Sequence, residues 1–538
     1  MVRLEISDVM NAFPAPTFRK YQKAVLRKIT EAFNSGVKCV LLDAPTGFGK
    51  SLVNATFCRL MRSFYATPQL SLIQQILRDR FLKGIFVEIE GRQNYKCFYD
   101  PSATVDIGLC KRVADFNCPR FEVCPYWKQK LKALEAKAVL TSFSYLLLEG
   151  MTETKYSLGR RKLLVLDEAH GIDRHIIDHI SITVSPYSLP KSVYDRIAFM
   201  IRDFEDVYDL ISFMETVAEI ARSKLETYRE LSIQGELSKD EARNMTKIEE
   251  FLKNVDTFLA SPNKWVWQIG RVRTPWGVAR KLSLMPLYAR DFAEEMLWNR
   301  ADLFIISSAT ILDPARFVKE VGLDLVFNSD ETLHIMVPST FPPENRPIID
   351  VSIGKLTKDR RDKVLPEAIK MIKEILEYEK GNVAIHCHSY EMAEKVAEAL
   401  KKYFPNRIIT HNSENRDEML RKWMNSRGKV FVCVDFYEGQ DWKGDICEAQ
   451  ILLKTPYPDL SDRRVAKRLE LGHWNWYFYE ALKKSIQAYG RAVRGPDEKK
   501  RFYVIDESFW ILLKRTRKVL PAWFIEALPK DRRKWLGI

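Results

Sequence analysis

Residues 40–51 read VLLDAPTGFGKS, an apolar run that leads into a glycine-containing turn and then into an amphipathic stretch. Glycines at these positions permit a tight turn, so that main-chain N–H groups at the start of a helix point at a phosphate. The stretch therefore predicts a strand, a phosphate-binding loop and a helix, the nucleotide-binding unit of an α/β domain. The residues expected to bind nucleotide there are Ala44, which replaces the usual first glycine, and Thr46, Gly47, Gly49, Lys50 and Ser51.

Within this loop, two side chains carry separate roles. Lys50 is expected to neutralise the β- and γ-phosphates of ATP, and the Ser51 hydroxyl to bind Mg²⁺. An eight-residue match can arise by chance, so its weight depends on a partner motif further along the chain.

That partner motif is residues 162–170, KLLVLDEAH, an apolar strand that ends in two carboxylates. Asp167 is expected to hold Mg²⁺, and Glu168 to orient and deprotonate the attacking water. His170 is expected to link the nucleotide site to a second domain. A DEAH tetrad on a helix is ordinarily a solvated charged face, but its position after an apolar strand and downstream of Lys50 favours the catalytic interpretation.

Two later segments extend the site. Residues 307–310 (SSAT) follow an apolar strand, and residues 487–494 read QAYGRAVR. On a helix, Gln487, Arg491 and Arg494 lie at i, i+4 and i+7 and share one face. That face is predicted to reach the γ-phosphate, where the guanidinium groups stabilise transition-state charge. Surface solvation of the arginines is the alternative.

Four of the nine cysteines crowd into one short segment as Cys97, Cys110, Cys118 and Cys124. Zinc sites usually contain close cysteine pairs, whereas the gaps here are wide and proline follows both Cys118 and Cys124. Wide spacing with Cys-Pro favours an iron–sulfur cluster. Zinc, a disulfide, or thiols that merely pack as small hydrophobes stay open as alternatives.

Composition limits the class of protein. The 538 residues suggest three or four domains, and the net charge of +14 favours a polyanionic partner. No apolar run approaches the roughly 20 residues of a membrane span, and residues 1–10 lack the apolar core of a secretory signal. We expect a monomeric cytoplasmic protein without membrane contact.

In their order along the chain, these motifs resemble those of the iron–sulfur helicases of superfamily 2, the XPD/DinG family. Residues 18–22 (FRKYQ) resemble the adenine-recognising segment, with Gln22 as base reader. Residues 384–390 (AIHCHSY) resemble the opening of the second motor domain. Residues 435–444 (DFYEGQDWKG) resemble the motif that couples ATP to nucleic acid through Glu438, Gly439 and Asp441. Residues 124–127 (CPYW) resemble the last cluster ligand with its aromatic tail, although the chain lacks the close cysteine pair common in the family.

The resemblance implies an α/β fold with two RecA-like motor domains built on parallel sheets. The first motor domain is expected to comprise residues 1–90, 130–185 and 285–340, and the second residues 341–538. An iron–sulfur cluster domain (91–129) and a helical arch domain (186–284) are expected as insertions in the first. Stretches of helical period at 207–229 and 239–258 support the arch.

The implied activity is that of an ATP-dependent DNA helicase, with ATP, Mg²⁺ and one [4Fe–4S] cluster as cofactors. It is expected to move 5′ to 3′ on single-stranded or forked DNA, in DNA repair or replication-linked processing. Thr67, Gln74 and Tyr145 are candidate nucleic-acid contacts. Trp265, Trp267 and Trp276 lie near basic residues, but packing of the arch is their preferred interpretation.

Two other functions compete with this one. An ATP-gated translocase or remodeller that does not unwind duplex DNA would carry the same motor motifs. A nuclease is the weaker alternative, because no acidic exonuclease domain is recognisable in the sequence.

Overall fold

Two parallel sheets and one small antiparallel sheet organise the chain. The computed structural model describes residues 3–150, 156–437, 442, 444–491 and 498–538. The strands are β1 (Cys39–Asp43), β2 (Ser63–Thr67), β3 (Val87–Glu88), β4 (Ala138–Ser142), β5 (Arg161–Asp167), β6 (Ile182–Val184), β7 (Trp265–Thr274), β8 (Gly277–Pro286), β9 (Ala301–Ser308), β10 (Thr332–Met336), β11 (Ile348–Gly354), β12 (Val383–Cys387), β13 (Ile408–Thr410), β14 (Val430–Val434), β15 (Ala449–Leu452) and β16 (Arg501–Asp506).

Helices cover and connect these sheets. The α-helices are α1 (Ile6–Asn11), α2 (Gln22–Asn34), α3 (Lys50–Leu60), α4 (Leu70–Arg78), α5 (Leu109–Arg112), α6 (Pro125–Glu135), α7 (Phe143–Gly150), α8 (Ile172–Ile180), α9 (Lys191–Ile197), α10 (Val207–Gln234), α11 (Lys239–Ala260), α12 (Ala293–Met296), α13 (Pro314–Glu320), α14 (Arg361–Tyr378), α15 (Tyr390–Lys401), α16 (Arg416–Met424), α17 (Arg463–Glu470), α18 (Trp474–Tyr489), α19 (Ser508–Thr516), α20 (Ala522–Ile525) and α21 (Lys530–Leu536).

The first sheet has seven parallel strands in the order β10-β1-β9-β5-β2-β4-β3. Its central strands are buried along their length, as β1 shows, because helices cover both faces. Strands β1 and β5 are separated only by β9, so the phosphate loop after β1 and the carboxylates at the end of β5 meet at one edge of the sheet.

The second sheet has six parallel strands in the order β11-β16-β15-β12-β14-β13. Four of its strands, β12, β14, β15 and β16, are apolar runs of the sequence that are largely buried in the sheet. The predicted α/β class with two parallel sheets is therefore confirmed.

Two long helices form most of the second insertion, as the helical period predicts. The Asp206 side chain accepts hydrogen bonds from the first turn of α10, and Gly235 ends that helix in the left-handed conformation. Ser238 and Glu241 form a reciprocal capping box at the start of α11. The two helices pack their apolar faces against each other and against the first sheet's core.

A β-hairpin in the same insertion corrects the prediction of a purely helical arch. Strands β7 and β8 pair antiparallel, and β8 also pairs with β6, which follows α8. The two-residue turn between them is Pro275 and Trp276. The consecutive apolar residues of 265–267 hide the period of two that marks a half-exposed strand.

The cysteine-bearing segment packs against the long helices. Asp100 accepts an ion pair from Arg112 at 3.0 Å and another from Lys239 of α11, also at 3.0 Å. The Ala114 N–H donates to the Ser232 carbonyl of α10 at 3.0 Å. The two insertions are thus joined by direct contacts. Within the described part of the chain, we find no helix with the length and apolar character that crossing a membrane requires.

Candidate functional site

The phosphate loop adopts a backbone that requires its glycines. Gly47 and Gly49 have φ values of +82° and +88°, in the left-handed region. A Cβ at Gly47 would lie 2.0 Å from the ring of Phe341, and one at Gly49 would lie 2.6 Å from the amide nitrogen of Gln22. Lys50 then begins α3, so the loop ends at a helix N-terminus as predicted.

Gln22 lies beneath this loop. Its side chain is buried, and its Nε2 donates to the Phe48 carbonyl at 2.9 Å while its Oε1 accepts from the Arg19 N–H at 2.8 Å. The Arg19 guanidinium in turn donates to the Gly47 carbonyl at 2.7 Å. Gln22 therefore braces the loop from below, and its role as base reader stays a prediction.

Asp167 ends β5 within a buried set of hydroxyl groups. Tyr65 donates to Oδ2 at 2.6 Å, and Ser307 donates to Oδ1 at 3.1 Å. The Ser51 hydroxyl is 3.5 Å from the same Oδ2, so the two oxygen donors expected to bind Mg²⁺ stand together. Burial raises the pKa of Asp167 and the adjacent Glu168 charge adds to the rise, while Lys50 opposes it.

Glu168 occupies a strained backbone position next to the phosphate-binding lysine. Its φ of +52° is in the left-handed region, which non-glycine residues seldom adopt outside functional sites. The Lys50 ammonium lies 3.3 Å from Glu168 Oε1, and it also donates to the Ala44 carbonyl at 3.2 Å. His170 Nδ1 is 3.6 Å from the other carboxylate oxygen. The predicted base and the predicted phosphate cation are thus direct neighbours.

A third carboxyl group, Asp43, lies just before the loop. It is the last residue of β1, and its Oδ2 accepts from the Leu312 N–H at 3.2 Å. Burial raises the pKa of Asp43 to about 6, although this hydrogen bond and the charge of Lys50 oppose the rise.

Side chains from the second sheet's domain complete the site. Gln487 Nε2 donates to the Thr310 hydroxyl at 3.0 Å. The α18 helix ends at Tyr489, which corrects the prediction of one continuous helical face, since Arg491 follows in a turn beyond it. Its guanidinium lies 4.8 Å from the ring centroid of Trp442. Glu438, Gly439, Asp441 and Arg494 lie outside the described residues.

These groups surround one cavity of about 370 Å³ between the two sheets' domains. That size is within the usual range for sites that bind small molecules. Among the residues that line it are Thr46, Gly47, Gly49, Lys50, Ser51, Asp167 and Glu168 on one side, and Gln487 and Arg491 on the other.

Comparison with known proteins agrees with this architecture. The family models that match are Helicase C-terminal domain, over residues 372–527, and DEAD_2, over residues 102–189. A solved structure of S. tokodaii Xpd4 superposes with a TM-score of 0.58, covering 96% of this chain and 99% of that one at 17% identity. These matches make the chain similar to superfamily 2 helicases of the XPD/DinG type.

Two curated members of the XPD/DinG-like family match part of the chain. ATP-dependent DNA helicase DinG of Photobacterium profundum is 26% identical over 270 residues, which is 47% of this chain and 37% of that protein. ATP-dependent DNA helicase YoaA of Escherichia coli is 21% identical over 193 residues, 35% of this chain and 29% of that protein. The chain therefore matches about a third of the length of each relative.

The four cysteines predicted as cluster ligands line a second cavity. Cys97, Cys110, Cys118 and Cys124 all line a space of about 270 Å³, together with Arg92. The Asp100 N–H donates to Cys97 Sγ at 3.4 Å. Burial raises the pKa of Cys110, and the charges of the other three cysteines contribute to that rise. Within the described residues, however, no three His, Cys, Asp or Glu side chains are spaced to hold a metal ion.

The four thiols therefore share one cavity without the spacing of a bound metal ion. The surroundings suit thiolates, since backbone N–H and guanidinium groups stabilise negative sulfur. The donor set therefore fits a thiolate-bound cluster.

The predicted nucleic-acid contacts lie near a third cavity, of about 440 Å³, between the first sheet, the cysteine segment and α11. Tyr145 lines it, although its hydroxyl accepts from Lys130 at 2.9 Å. Thr67 is fully buried at the end of β2 and donates to the Gln69 carbonyl at 3.1 Å. Gln74 is half-buried on α4. The structure thus brings Tyr145 to this opening and keeps Thr67 behind it.

Several residues of the nucleotide site were not predicted from the sequence. Tyr65 holds Asp167, and Lys483 of α18 donates to the His170 carbonyl at 2.9 Å; Ser307 was expected near the site as part of SSAT, but its bond to Asp167 was not. Arg19 lies in the FRKYQ segment that drew attention to Gln22, so a basic residue three positions before that glutamine was an available signal. No sequence signal marked Tyr65, because it lies inside an apolar strand.

Proposed function

We propose that this protein is an ATP-dependent DNA helicase, the activity named for its curated relatives, and that it translocates on single-stranded DNA. One observation carries the proposal. A single cavity of about 370 Å³ is lined from one side by Lys50, Asp167 and Glu168 and from the other by Gln487 and Arg491. Because a nucleotide in that cavity touches both domains, its binding and hydrolysis can change their relative position.

The residues of this cavity divide the work of hydrolysis. Lys50 exchanges its contact with Glu168 for the β- and γ-phosphates of ATP, which frees the carboxylate to accept a proton from water. Ser51 and Asp167 would hold Mg²⁺, which neutralises phosphate charge when bound. Arg491 supplies charge to the γ-phosphate from the second domain.

We propose that single-stranded DNA passes the cavity that Tyr145 lines. The opening combines polar groups of the cysteine segment (Asn94), the first domain (Ser142 and His179) and the arch (Glu250 and Lys253). Burial lowers the pKa of His179 to about 4, and the nearby Lys253 charge acts in the same direction, so this histidine is neutral at physiological pH. A neutral donor and a cation suit sugar and phosphate contacts.

The cysteine segment is proposed to hold one [4Fe–4S] cluster. Convergence of Cys97, Cys110, Cys118 and Cys124 on one cavity supports it. Such a cluster would stabilise a segment whose helices are short, since metal binding adds to the folding free energy of small sites. Polarity of 5′ to 3′ and a role in repair or replication-linked processing follow from the family resemblance.

Strand displacement on forked DNA tests the proposal directly. Wild-type protein with ATP and Mg²⁺ should release the displaced strand, and its ATPase should rise when single-stranded DNA is added. Strong stimulation without displacement would favour the translocase alternative. An ATPase indifferent to nucleic acid, or cleavage of the DNA, would overturn the helicase assignment.

A further inference from the structure

The turn of the β7–β8 hairpin presents an aromatic ring to solvent. Trp276 is 65% exposed, whereas Trp265 at the start of the same hairpin is 4% exposed. The Lys191 ammonium lies 5.3 Å from the centroid of the Trp276 ring. A large exposed indole beside a cation is a poor way to stabilise a fold, but it suits stacking of a base next to its phosphate.

The turn is held firmly by its own hydrogen bonds. Thr274 pairs with Gly277, and its hydroxyl also donates to the Gly277 carbonyl at 2.9 Å. The Tyr187 hydroxyl donates to the Arg273 carbonyl at 2.8 Å from outside the hairpin. Because these contacts fix the backbone around Trp276, binding there costs little ordering entropy.

The free end of the hairpin also concentrates positive charge. Arg271 lies directly opposite Arg280 in the strand register, and Arg273 is on the same face. All three residues are exposed. The Arg280 guanidinium donates to the Ile201 carbonyl, so the phosphate contacts proposed here fall to Arg271 and Arg273.

The base of the hairpin contacts the second domain. Gln268 Nε2 donates to the Ser461 carbonyl at 3.2 Å, and its Oε1 accepts from the Arg463 N–H at 3.3 Å. On the other side, β8 pairs with β6, which follows the α8 helix after the DEAH tetrad. A strand gripped at the hairpin end is therefore held by an element in contact with both nucleotide-binding domains.

We propose that the hairpin end, defined as residues 271–280 with Lys191, is a binding site for unpaired nucleotides of single-stranded DNA. Trp276 stacks on a base, and Arg271 and Arg273 contact phosphates. The inference rests on the proposed function and adds a contact outside the cavity that Tyr145 lines. An acidic peptide would need the cations but not an exposed ring. The indole beside these cations therefore favours a nucleic acid, whose bases stack on such a ring.

Two variants and two oligonucleotides separate stacking from charge. Trp276→Ala should weaken binding of oligo-dT about tenfold, because one stacked base is lost, and should scarcely affect an abasic oligonucleotide of equal length. Trp276→Phe should retain most of the affinity. The double variant Arg271→Gln, Arg273→Gln should reduce the slope of log affinity against log salt by about 1.4 for both probes, at about 0.7 per phosphate contact.

Matched controls exclude general effects. Trp535→Ala removes another exposed indole, which is 42% exposed on α21, and Lys401→Gln with Lys402→Gln removes two other exposed charges. Both should bind as wild type does, and every hairpin variant should keep the DNA-free ATPase rate and the melting temperature.

The outcomes distinguish this inference from the proposed function. If wild-type protein binds single strands and the hairpin variants match it, the hairpin site is wrong. Equal loss by Trp276→Ala on both probes would overturn the stacking role. If wild-type protein neither binds single strands nor responds to them in ATPase assays, the proposed function fails instead.

Discussion

At the scale of single residues, the nucleotide cavity holds its reactive groups against one another. The Lys50 ammonium is 3.3 Å from the Glu168 carboxylate, and Asp167 is surrounded by hydroxyl donors. These contacts couple the groups, so replacing one member of the set changes the position of the others.

Replacement of Lys50 or Glu168 should stop turnover in different ways. Lys50→Ala should abolish ATP hydrolysis, because the phosphates lose their cation, while affinity for single strands persists. Glu168→Gln should still bind ATP, but its turnover should fall by about 10²–10⁴-fold because the water loses its base. ATPase rates and nucleotide binding would be measured side by side. Lys38→Ala is the control, since Lys38 pairs with Glu331 away from the cavity; wild-type rates in either site variant would contradict that residue's role.

Asp43 should make stability depend on pH. Its folded pKa of about 6 exceeds the unfolded value of 3.8, so the folded state keeps a proton that the unfolded state loses between these values. Wild-type stability should therefore fall as pH rises through this window, by about 3 kcal/mol at most. The Asp43→Asn variant should not lose stability in this pH window, because an amide side chain does not ionise. The free energy of unfolding in urea would be measured for both proteins at pH 4 and pH 7.5. The stability of the variant relative to wild type should rise only at the higher pH, and the same stability difference at both pH values would contradict the assignment.

The sequence predicts the loop and the DEAH residues because each motif is a contiguous run with a fixed chemical purpose. It does not predict Tyr65, or the contact of Ser307 in the SSAT segment with Asp167, because both reach Asp167 only through the pairing of β2 and β9 with β5. Those partners are 102 and 140 residues away along the chain. Strand order, which the local pattern does not contain, decides such contacts.

At the scale of elements, long helices were easier to predict than the hairpin between them. The period of α10 and α11 extends over many turns, with capping residues at their starts. The β7–β8 hairpin instead has one face covered at its base and exposed at its end, so its burial changes along each strand. Because the pattern of burial changes within each ten-residue strand, the sequence shows no constant hydrophobic period there.

The cysteine segment supplies the prediction at this scale. Cys124 precedes α6 as its N-cap residue and lines the cavity shared with Cys97. Cys124→Ser should lower the iron content and loosen residues 91–129. Unwinding should be lost while DNA-stimulated ATPase largely persists, because the nucleotide cavity is packed separately.

Iron content, visible absorption and strand displacement of anaerobically purified protein would be compared. Cys447→Ala is the matched control, since Cys447 is buried in the second domain and should be replaceable without loss of iron. Zinc in place of iron, or full unwinding by Cys124→Ser, would refute the cluster.

At the scale of the whole molecule, α17 and α18 join the two nucleotide-binding domains. Lys483 donates to the His170 carbonyl at 2.9 Å, and Arg468 pairs with Glu320 at 2.8 Å. Burial opposes ionisation of Asp173, but the charges of Lys483 and nearby arginines outweigh it and lower its pKa. The DEAH tetrad and the second domain thus share one ionic cluster.

Lys483→Gln should weaken the communication between DNA and ATP. The His170 carbonyl loses its donor from α18, so we expect stimulation of the ATPase by single strands to fall about tenfold, within the usual range of coupling energies. The DNA-free rate should change little. Lys467→Gln is the matched control, because Lys467 pairs with Glu470 within α17 at 3.4 Å and not with the tetrad. Undiminished stimulation in Lys483→Gln would exclude this route.

The ion pair between Asp100 and Lys239 has a topological consequence. This ion pair completes a closed ring of contacts between the cysteine segment, α11 and the first domain. Lys239 of α11 contacts Asp100 at one end of the helix, and Asn254 of α11 donates to the His179 carbonyl of the first domain at 3.2 Å. The opening lined by Tyr145 lies at the junction of these three parts. A linear DNA strand can enter such a ring of contacts by one of its free ends. If DNA takes the path proposed past Tyr145, a covalently closed circular strand cannot enter until both this ion pair and the Ala114–Ser232 hydrogen bond open, so circles and linear strands should load at different rates.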